Sequence, residues 1–221
     1  LLPLLIQAQI DYGQAREKMI STQIESRGIK DKATLDAMRS TPRHFFVPDE
    51  QRAYAYQDSP LPIGYGQTIS QPYIVAFMTE VIRPQSHFKV LEVGTGSGYQ
   101  AAILSRIVDS VYTIEIIDEL YLQAKKRLKE LDYKNVQVKK DDGYYGWESK
   151  GPFDAIVVTA AAEFIPPPLI AQLKEGGQMI IPVGTPFSTQ QLLLVTKKEG
   201  KTKTKNLMFV SFVPFTRAPS G

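Results

Sequence analysis

The run Val90-Leu91-Glu92-Val93-Gly94-Thr95-Gly96-Ser97-Gly98 carries the clearest chemistry in the chain: a short apolar strand pattern holding one acid runs into three alternating glycines. A strand-to-helix turn this tight visits backbone angles that side chains disfavour, and a Cβ there would hold the backbone away from a ligand. The run therefore predicts a nucleotide-type cofactor at the end of a buried strand. Two further acids stand at informative intervals. Glu115 comes 21 residues after Gly94, at the end of the next strand pattern, and Asp142-Gly143 follows the one after that.

Spacing separates the cofactor classes. A dinucleotide fingerprint is G-x-G-x-x-G, and here the third glycine falls one position early, with Tyr99 where that pattern wants glycine. A pyrophosphate cradle is disfavoured. The loop suits a ligand with an amino acid tail and a ribose, S-adenosylmethionine, which leaves S-adenosyl-L-homocysteine as product. On this reading Glu92 receives the tail ammonium beside Gly94, Thr95, Gly96, Ser97 and Gly98. Glu115, with Ile116 next to it, takes the ribose hydroxyls through charge-assisted hydrogen bonds, and Asp142 and Gly143 meet the adenine edge. Thr159, closing a later strand, is placed with the same cofactor set. The plainer alternatives are a structural role for Glu92 against backbone amides, a surface charge at Glu115 and a simple Asp-Gly turn at 142–143.

These residues have to be positioned by regular elements. From residue 88 onward strand and helix patterns alternate: strand 88–93, helix 98–108, strand 111–116, helix 118–131, strand 136–139, strand 153–159, helix 167–173 and strand 178–183. Gly176-Gly177 reads as the stop of the helix at 167–173, and Pro166-Pro167-Pro168 as its rigid entry. Such alternation predicts an α/β, Rossmann-like, doubly wound and mostly parallel sheet with helices on both faces. Apolar runs 191–196 and 207–213 predict a C-terminal antiparallel hairpin, with Lys197, Lys198, Lys201, Lys203 and Lys205 as its solvated tip. Upstream, 10–26 and 31–40 read as helices, and 42–66 as a loop-rich cover. Ser70-Gln71-Pro72 then opens a helix whose Ile74, Phe77, Met78, Val81 and Ile82 form one stripe, with Ser70 as its N-cap.

Bulk composition bounds the rest. The 221 residues fit one domain at 12–221, divided into a covering part at 12–86 and a core at 87–221, behind an apolar extension at 1–11. The 26 basic and 23 acidic residues leave +3, too even to imply nucleic-acid binding. No cysteine and only two histidines, His44 and His87, exclude thiolate catalysis and a His- or Cys-based metal site, so no metal is expected. Leu1-Leu2-Pro3-Leu4-Leu5-Ile6-Gln7-Ala8 is too short to span a bilayer. It reads as an extension that packs on the body or on a partner, with the end of a secretory h-region cut after Ala8 as the alternative. Cytoplasmic location, no membrane partner and a monomer are the expectations, with export as the alternative location. Trp147, the sole tryptophan, is a candidate fluorescence reporter of the site.

An ordered set of segments goes beyond a generic methyltransferase. Pro42-Arg43-His44-Phe45-Phe46-Val47-Pro48, Gly66-Gln67-Thr68-Ile69-Ser70-Gln71-Pro72, the glycine loop, Phe153-Asp154-Ala155-Ile156-Val157-Val158-Thr159-Ala160-Ala161-Ala162, Gly176-Gly177 with Pro182-Val183-Gly184, and Phe212-Val213-Pro214-Phe215 stand in that order. From about Tyr12 to Arg217 the chain resembles the protein-L-isoaspartate (D-aspartate) O-methyltransferase family. The resemblance implies methyl transfer to the free α-carboxylate of isoaspartyl residues in damaged proteins and peptides. It also implies that Ser70 is the active-site serine, that Thr68, Ile69 and Gln71 flank it at the substrate, and that Val213 and Pro214 hold the substrate backbone. Tyr73 departs from the pattern, standing where some relatives carry histidine, so flanking-residue preferences do not transfer. His44, beside Phe45 and Phe46, reads as a packed, hydrogen-bonded residue. A nucleic-acid methyltransferase would carry an Asn/Asp-Pro-Pro-aromatic motif where Thr159-Ala160-Ala161-Ala162 stands, and a non-catalytic module would not need the intact acids.

Overall fold

In a computed structural model, residues 10–185 and 188–218 are described. The predicted extension at 1–11 lies almost wholly outside them. The α-helices are α1 (Tyr12–Met19), α2 (Lys32–Ser40), α3 (Pro72–Val81), α4 (Tyr99–Ser105), α5 (Asp118–Glu130) and α6 (Pro167–Ala171). The strands are β1 (Leu61–Gly64), β2 (Gln67–Ile69), β3 (Lys89–Val93), β4 (Ser110–Glu115), β5 (Val136–Lys140), β6 (Phe153–Val158), β7 (Leu173–Val183), β8 (Gln190–Lys198) and β9 (Lys201–Val210).

Seven strands form one sheet in the order β5-β4-β3-β6-β7-β8-β9. The pairs from β5 through β7 are parallel, and β7-β8-β9 are antiparallel. This is the expected doubly wound architecture with its C-terminal hairpin. The strands are apolar on both sides because both faces are covered. Along β3 and β6 the period of two is explicit: Val90, Ala155 and Val157 pack with Met78 of α3 and Leu104 of α4. Leu91, Val93, Ile156 and Val158 pack on the opposite face with Leu169 of α6. Burying each of these Val, Leu, Ile and Met side chains contributes about 1.5–3 kcal/mol before chain entropy is set against it. Glu92 falls on the α4 face of this alternation and is 0 % exposed.

Connections leave β3 and β6 in opposite directions, toward α4 and toward α6. A crevice opens at such a switch point, at the carboxyl ends of the strands. The N-terminal helices α1, α2 and α3 and the β1-β2 hairpin pack over α4 and roof that crevice from one side.

Several elements differ from the sequence reading. The 10–26 helix is α1, capped by Asp11 through Gly13 and Gln14, followed by a π-type turn at Ile20–Ile24 and a 3-10 turn at Glu25–Arg27. The 42–66 cover holds 3-10 turns at Arg43–Phe46 and Asp49–Tyr54 and the β1-β2 hairpin. Gly176-Gly177 does not end a helix. The pair lies inside β7, where the register against β6 shifts between Phe153↔Leu173 and Ala155↔Gln178. A Cβ on Gly177 would stand 2.9 Å from the Lys174 carbonyl oxygen and 3.0 Å from that of Asp154, so glycine serves a bulge here. The lysine-rich stretch is largely strand rather than tip. Lys201, Lys203 and Lys205 alternate along the exposed edge strand β9, where charge discourages edge-to-edge pairing. Lys197 is absorbed, its Nζ donating to the carbonyls of Ile170 and Leu173 at the end of α6.

Candidate active site

An open cleft occupies the crevice at the ends of β3, β4 and β6. Its floor is the glycine loop. Gly94 and Thr95 donate to the Ile114 carbonyl at 2.9 and 3.1 Å, which folds the chain back over β4. Thr159, just past β6, donates its hydroxyl to the Gly94 carbonyl at 2.7 Å, joining the two strands that flank the switch point. Gly143 closes the floor, since a Cβ there would stand 2.4 Å from Val93 Cγ1.

Two buried acids face this cleft. Glu115, 5 % exposed, accepts from Gly96 N at 2.7 Å through Oε2 and from Ile116 N and Ile117 N at 2.9 Å through Oε1. It thus belongs to the site and also organises it, which the surface-charge alternative does not allow. Glu92 is approached through a hydroxyl relay: Thr95 Oγ1 lies 2.7 Å from Thr113 Oγ1, and Thr113 donates to Glu92 Oε2. Glu92 Oε1 is buried with no hydrogen-bond partner. Burial pushes its carboxyl up to about 8, the Thr113 hydrogen bond pulls it down and the charge of Glu115 adds to the rise. A buried acceptor without a donor is the feature an incoming ammonium would satisfy.

This burial has a consequence for stability. Folded protein keeps a proton on Glu92 that the unfolded chain releases near 4.5. The stabilisation tied to that proton is complete below about pH 4.5 and is lost as pH rises through about 8. Glu92→Gln has no proton to lose. Ligand-free unfolding measured from acid to mildly basic pH should therefore show the variant gaining on the native protein by up to about 1.4 kcal/mol per pH unit. Parallel profiles would contradict the assignment.

The acceptor-side residues come from two distant segments. Thr68, Ile69 and Ser70 line one wall, and Val213 and Pro214 with Phe215 and Thr216 line another. The second wall is fixed by Ala161, whose N–H donates to Val213 O at 2.8 Å and whose carbonyl accepts from Phe215 N at 2.9 Å.

Ser70 is not the N-cap of α3. That position is Gln71, with Pro72 at the first helical residue, and the Ser70 carbonyl instead accepts from Arg43 Nη2 at 2.7 Å. Gln71 points elsewhere, its amide donating to Asp58 Oδ1 at 2.8 Å, and it does not line the cleft. Gly98 turns the chain into α4 behind the lining. Asp142 is also outside the lining. Its carboxylate accepts from Arg217 Nε at 2.9 Å, from Ala218 N at 3.1 Å and from Tyr144 N at 3.0 Å. Trp147 packs edge-on against Tyr112 and does not line the cleft, so its fluorescence is a remote reporter. His44 is packed as expected, stacked 4.1 Å from Tyr12 with Nδ1 at 2.8 Å from the Tyr56 hydroxyl. Tyr99, Gln100, Ile117 and Ala160 join the lining unforeseen. Tyr99 was legible as the residue breaking the dinucleotide pattern, but nothing in its type marked it as a wall.

Similarity to known proteins extends over nearly the whole chain. The family profile described as protein-L-isoaspartate(D-aspartate) O-methyltransferase matches residues 14–220. The chain belongs to this family. A protein-L-isoaspartate O-methyltransferase of Opitutus terrae is 58 % identical over 202 residues, covering 91 % of this chain and 87 % of the relative. One of Shewanella sediminis is 54 % identical over 205 residues, 93 % of this chain and 84 % of its own. Among solved structures, a protein-L-isoaspartate O-methyltransferase superposes with a TM-score of 0.83 at 30 % identity over 90 % of this chain and 65 % of that longer one. A Plasmodium falciparum protein-L-isoaspartate O-methyltransferase in complex with S-adenosyl-L-homocysteine gives a TM-score of 0.80 at 26 % identity, covering 95 % of this chain and all (100 %) of that one. Isoaspartate methyltransferase architecture thus accounts for the roof, the sheet and the terminal hairpin together.

Proposed function

We propose that the chain transfers a methyl group from S-adenosylmethionine to the free α-carboxylate of L-isoaspartyl and D-aspartyl residues in damaged proteins, the first step of their repair. The observation that carries this reading is the composition of the cleft. Both of its carboxylates, Glu92 and Glu115, stand at the glycine-loop half, and among the described lining residues there is no histidine, lysine or arginine. With both acids at the donor half, the acceptor half holds no base, which suits an acceptor already ionised at neutral pH, as a carboxylate is. Tyr99 supplies no base either, because burial pushes its phenol up.

When bound, S-adenosylmethionine supplies a methyl group on a cationic sulfur. The chain's own contribution is placement and dryness. Glu92 would hold the tail ammonium and Glu115 the ribose, while Gly94, Thr95, Gly96, Ser97, Ile116, Gly143 and Thr159 shape the floor. Asp142 would meet the adenine amine only by sharing or releasing its bonds to Arg217 and Ala218. Ser70, with Thr68 and Ile69, offers the acceptor a hydroxyl, and the Val213-Pro214 segment offers backbone groups to an extended peptide. Alignment in a water-excluding cleft is then the main source of rate.

Ser70→Ala should lower kcat/KM for an isoaspartyl peptide about ten- to a hundredfold, the worth of one hydrogen bond to a charged group. Cofactor affinity should stay within about twofold and stability within about 0.5 kcal/mol, since the hydroxyl caps no helix. Calorimetric cofactor titration and unfolding check the division, and a parallel loss of cofactor affinity would refute it. The reaction itself is tested by product chemistry: transferred methyl should be released as methanol by mild base, as from an ester, and base-stable methylation would overturn it. A monomer acting without nucleic acid belongs to the same reading. Among the described residues no helix is long and apolar enough to cross a membrane.

A further inference from the structure

A cation stands behind the acceptor wall. Arg43 is 0 % exposed and is the only buried lysine or arginine among the described residues. It forms no ion pair there. Its Nε donates to Ala55 O at 2.8 Å and its Nη2 to Ser70 O at 2.7 Å, and its Cζ lies 4.9 Å from the centroid of the Tyr99 ring. Nη1 is buried with no acceptor. Burial lowers its pKa only to about 10, which leaves the guanidinium charged at neutral pH. An uncompensated buried charge is costly and is retained where it serves something. Two of its contacts, Ser70 and Tyr99, line the cleft, while the Glu115 carboxylate, which would repel an anionic acceptor, lines it too.

We infer that Arg43 is a positioning residue for the acceptor: it tethers the Ser70 peptide at the corner between β2 and α3 and sets a positive charge behind the place where the substrate carboxylate docks. This rests on the proposed function. Transfer converts a carboxylate into a neutral ester, so a fixed cation favours the bound reactant at least as much as the transition state, and its charge is expressed in KM rather than kcat. Lysine keeps the charge but lacks the planar fork that reaches two carbonyls at once.

The test is peptide KM beside cofactor Kd. Arg43→Lys should raise KM for an isoaspartyl peptide at least about threefold, with Kd for S-adenosyl-L-homocysteine within about twofold. Arg43→Met, which also removes the charge, should raise KM further, about tenfold or more. A peptide KM unchanged in Arg43→Lys, or cofactor affinity falling in step with it, would overturn the inference, as would equal KM values in the two variants. Native protein serves as the control: if it fails to methylate the isoaspartyl peptide, the functional reading falls rather than the role of Arg43.

Discussion

Glu115→Ala is expected to weaken S-adenosyl-L-homocysteine binding by about 3 kcal/mol or more, at least a hundredfold in Kd. Two losses combine. A carboxylate offers about four acceptor sites, and Gly96, Ile116 and Ile117 already fill three of them. One ribose hydroxyl can join without breaking the loop, so the ligand gains a charge-assisted bond at a prepaid site. Alanine removes that bond and also leaves three partly buried amides without their acceptor, which loosens Gly96 against β4. Unfolding free energy should fall as well, by about 2–4 kcal/mol. Isothermal titration and urea unfolding measure both, and a Kd within tenfold of native would show that Glu115 is scaffold and not ligand.

Gly94→Ala should be nearly as damaging, and Gly96→Ala should not. Both residues have positive φ, +96° and +52°, so each substitution carries backbone strain of about 1–2 kcal/mol. The difference lies in the space. A Cβ on Gly94 would stand 2.5 Å from Thr159 Oγ1, the atom that ties the loop to β6. Neither partner can move without breaking that tie. A Cβ on Gly96 would stand 3.4 Å from the Ile63 methyl end, a flexible neighbour that can give. Gly94→Ala is therefore expected to lose about 3 kcal/mol or more of stability together with detectable cofactor binding, against about 1–2 kcal/mol for Gly96→Ala. Equal melting temperatures for the two variants would contradict the packing argument.

The donor half was legible because its signals are local. The period of two in Val90–Val93 and Ala155–Val158 marks buried strands, the glycines mark the turn, and Glu115 follows at a fixed spacing from them. Sequence pattern and structure part where one residue type serves two devices. Gly176-Gly177 reads as a helix stop, yet glycine also makes bulges, and only the Asp154 and Lys174 carbonyls decide between them. Ser70 reads as an N-cap, but Pro72 at the first helical position moves the cap to Gln71 and frees the Ser70 hydroxyl. The remaining parts were hidden by distance along the chain. The partner of Asp142 is Arg217, 75 residues away, and the wall at 213–216 is held by Ala161. Arg43 carried no local sign that its charge would be buried against the carbonyl of Ser70, 27 residues on.

A cleft that pairs a methyl donor with a misplaced α-carboxylate must tell isomeric peptides apart. Two peptides of the same sequence, one with L-isoaspartyl and one with normal L-aspartyl at a single position, are incubated with the native protein and labelled S-adenosylmethionine. Base-labile methyl incorporation into the isoaspartyl peptide alone is the predicted result. Equal labelling of both peptides, or of neither, would contradict it.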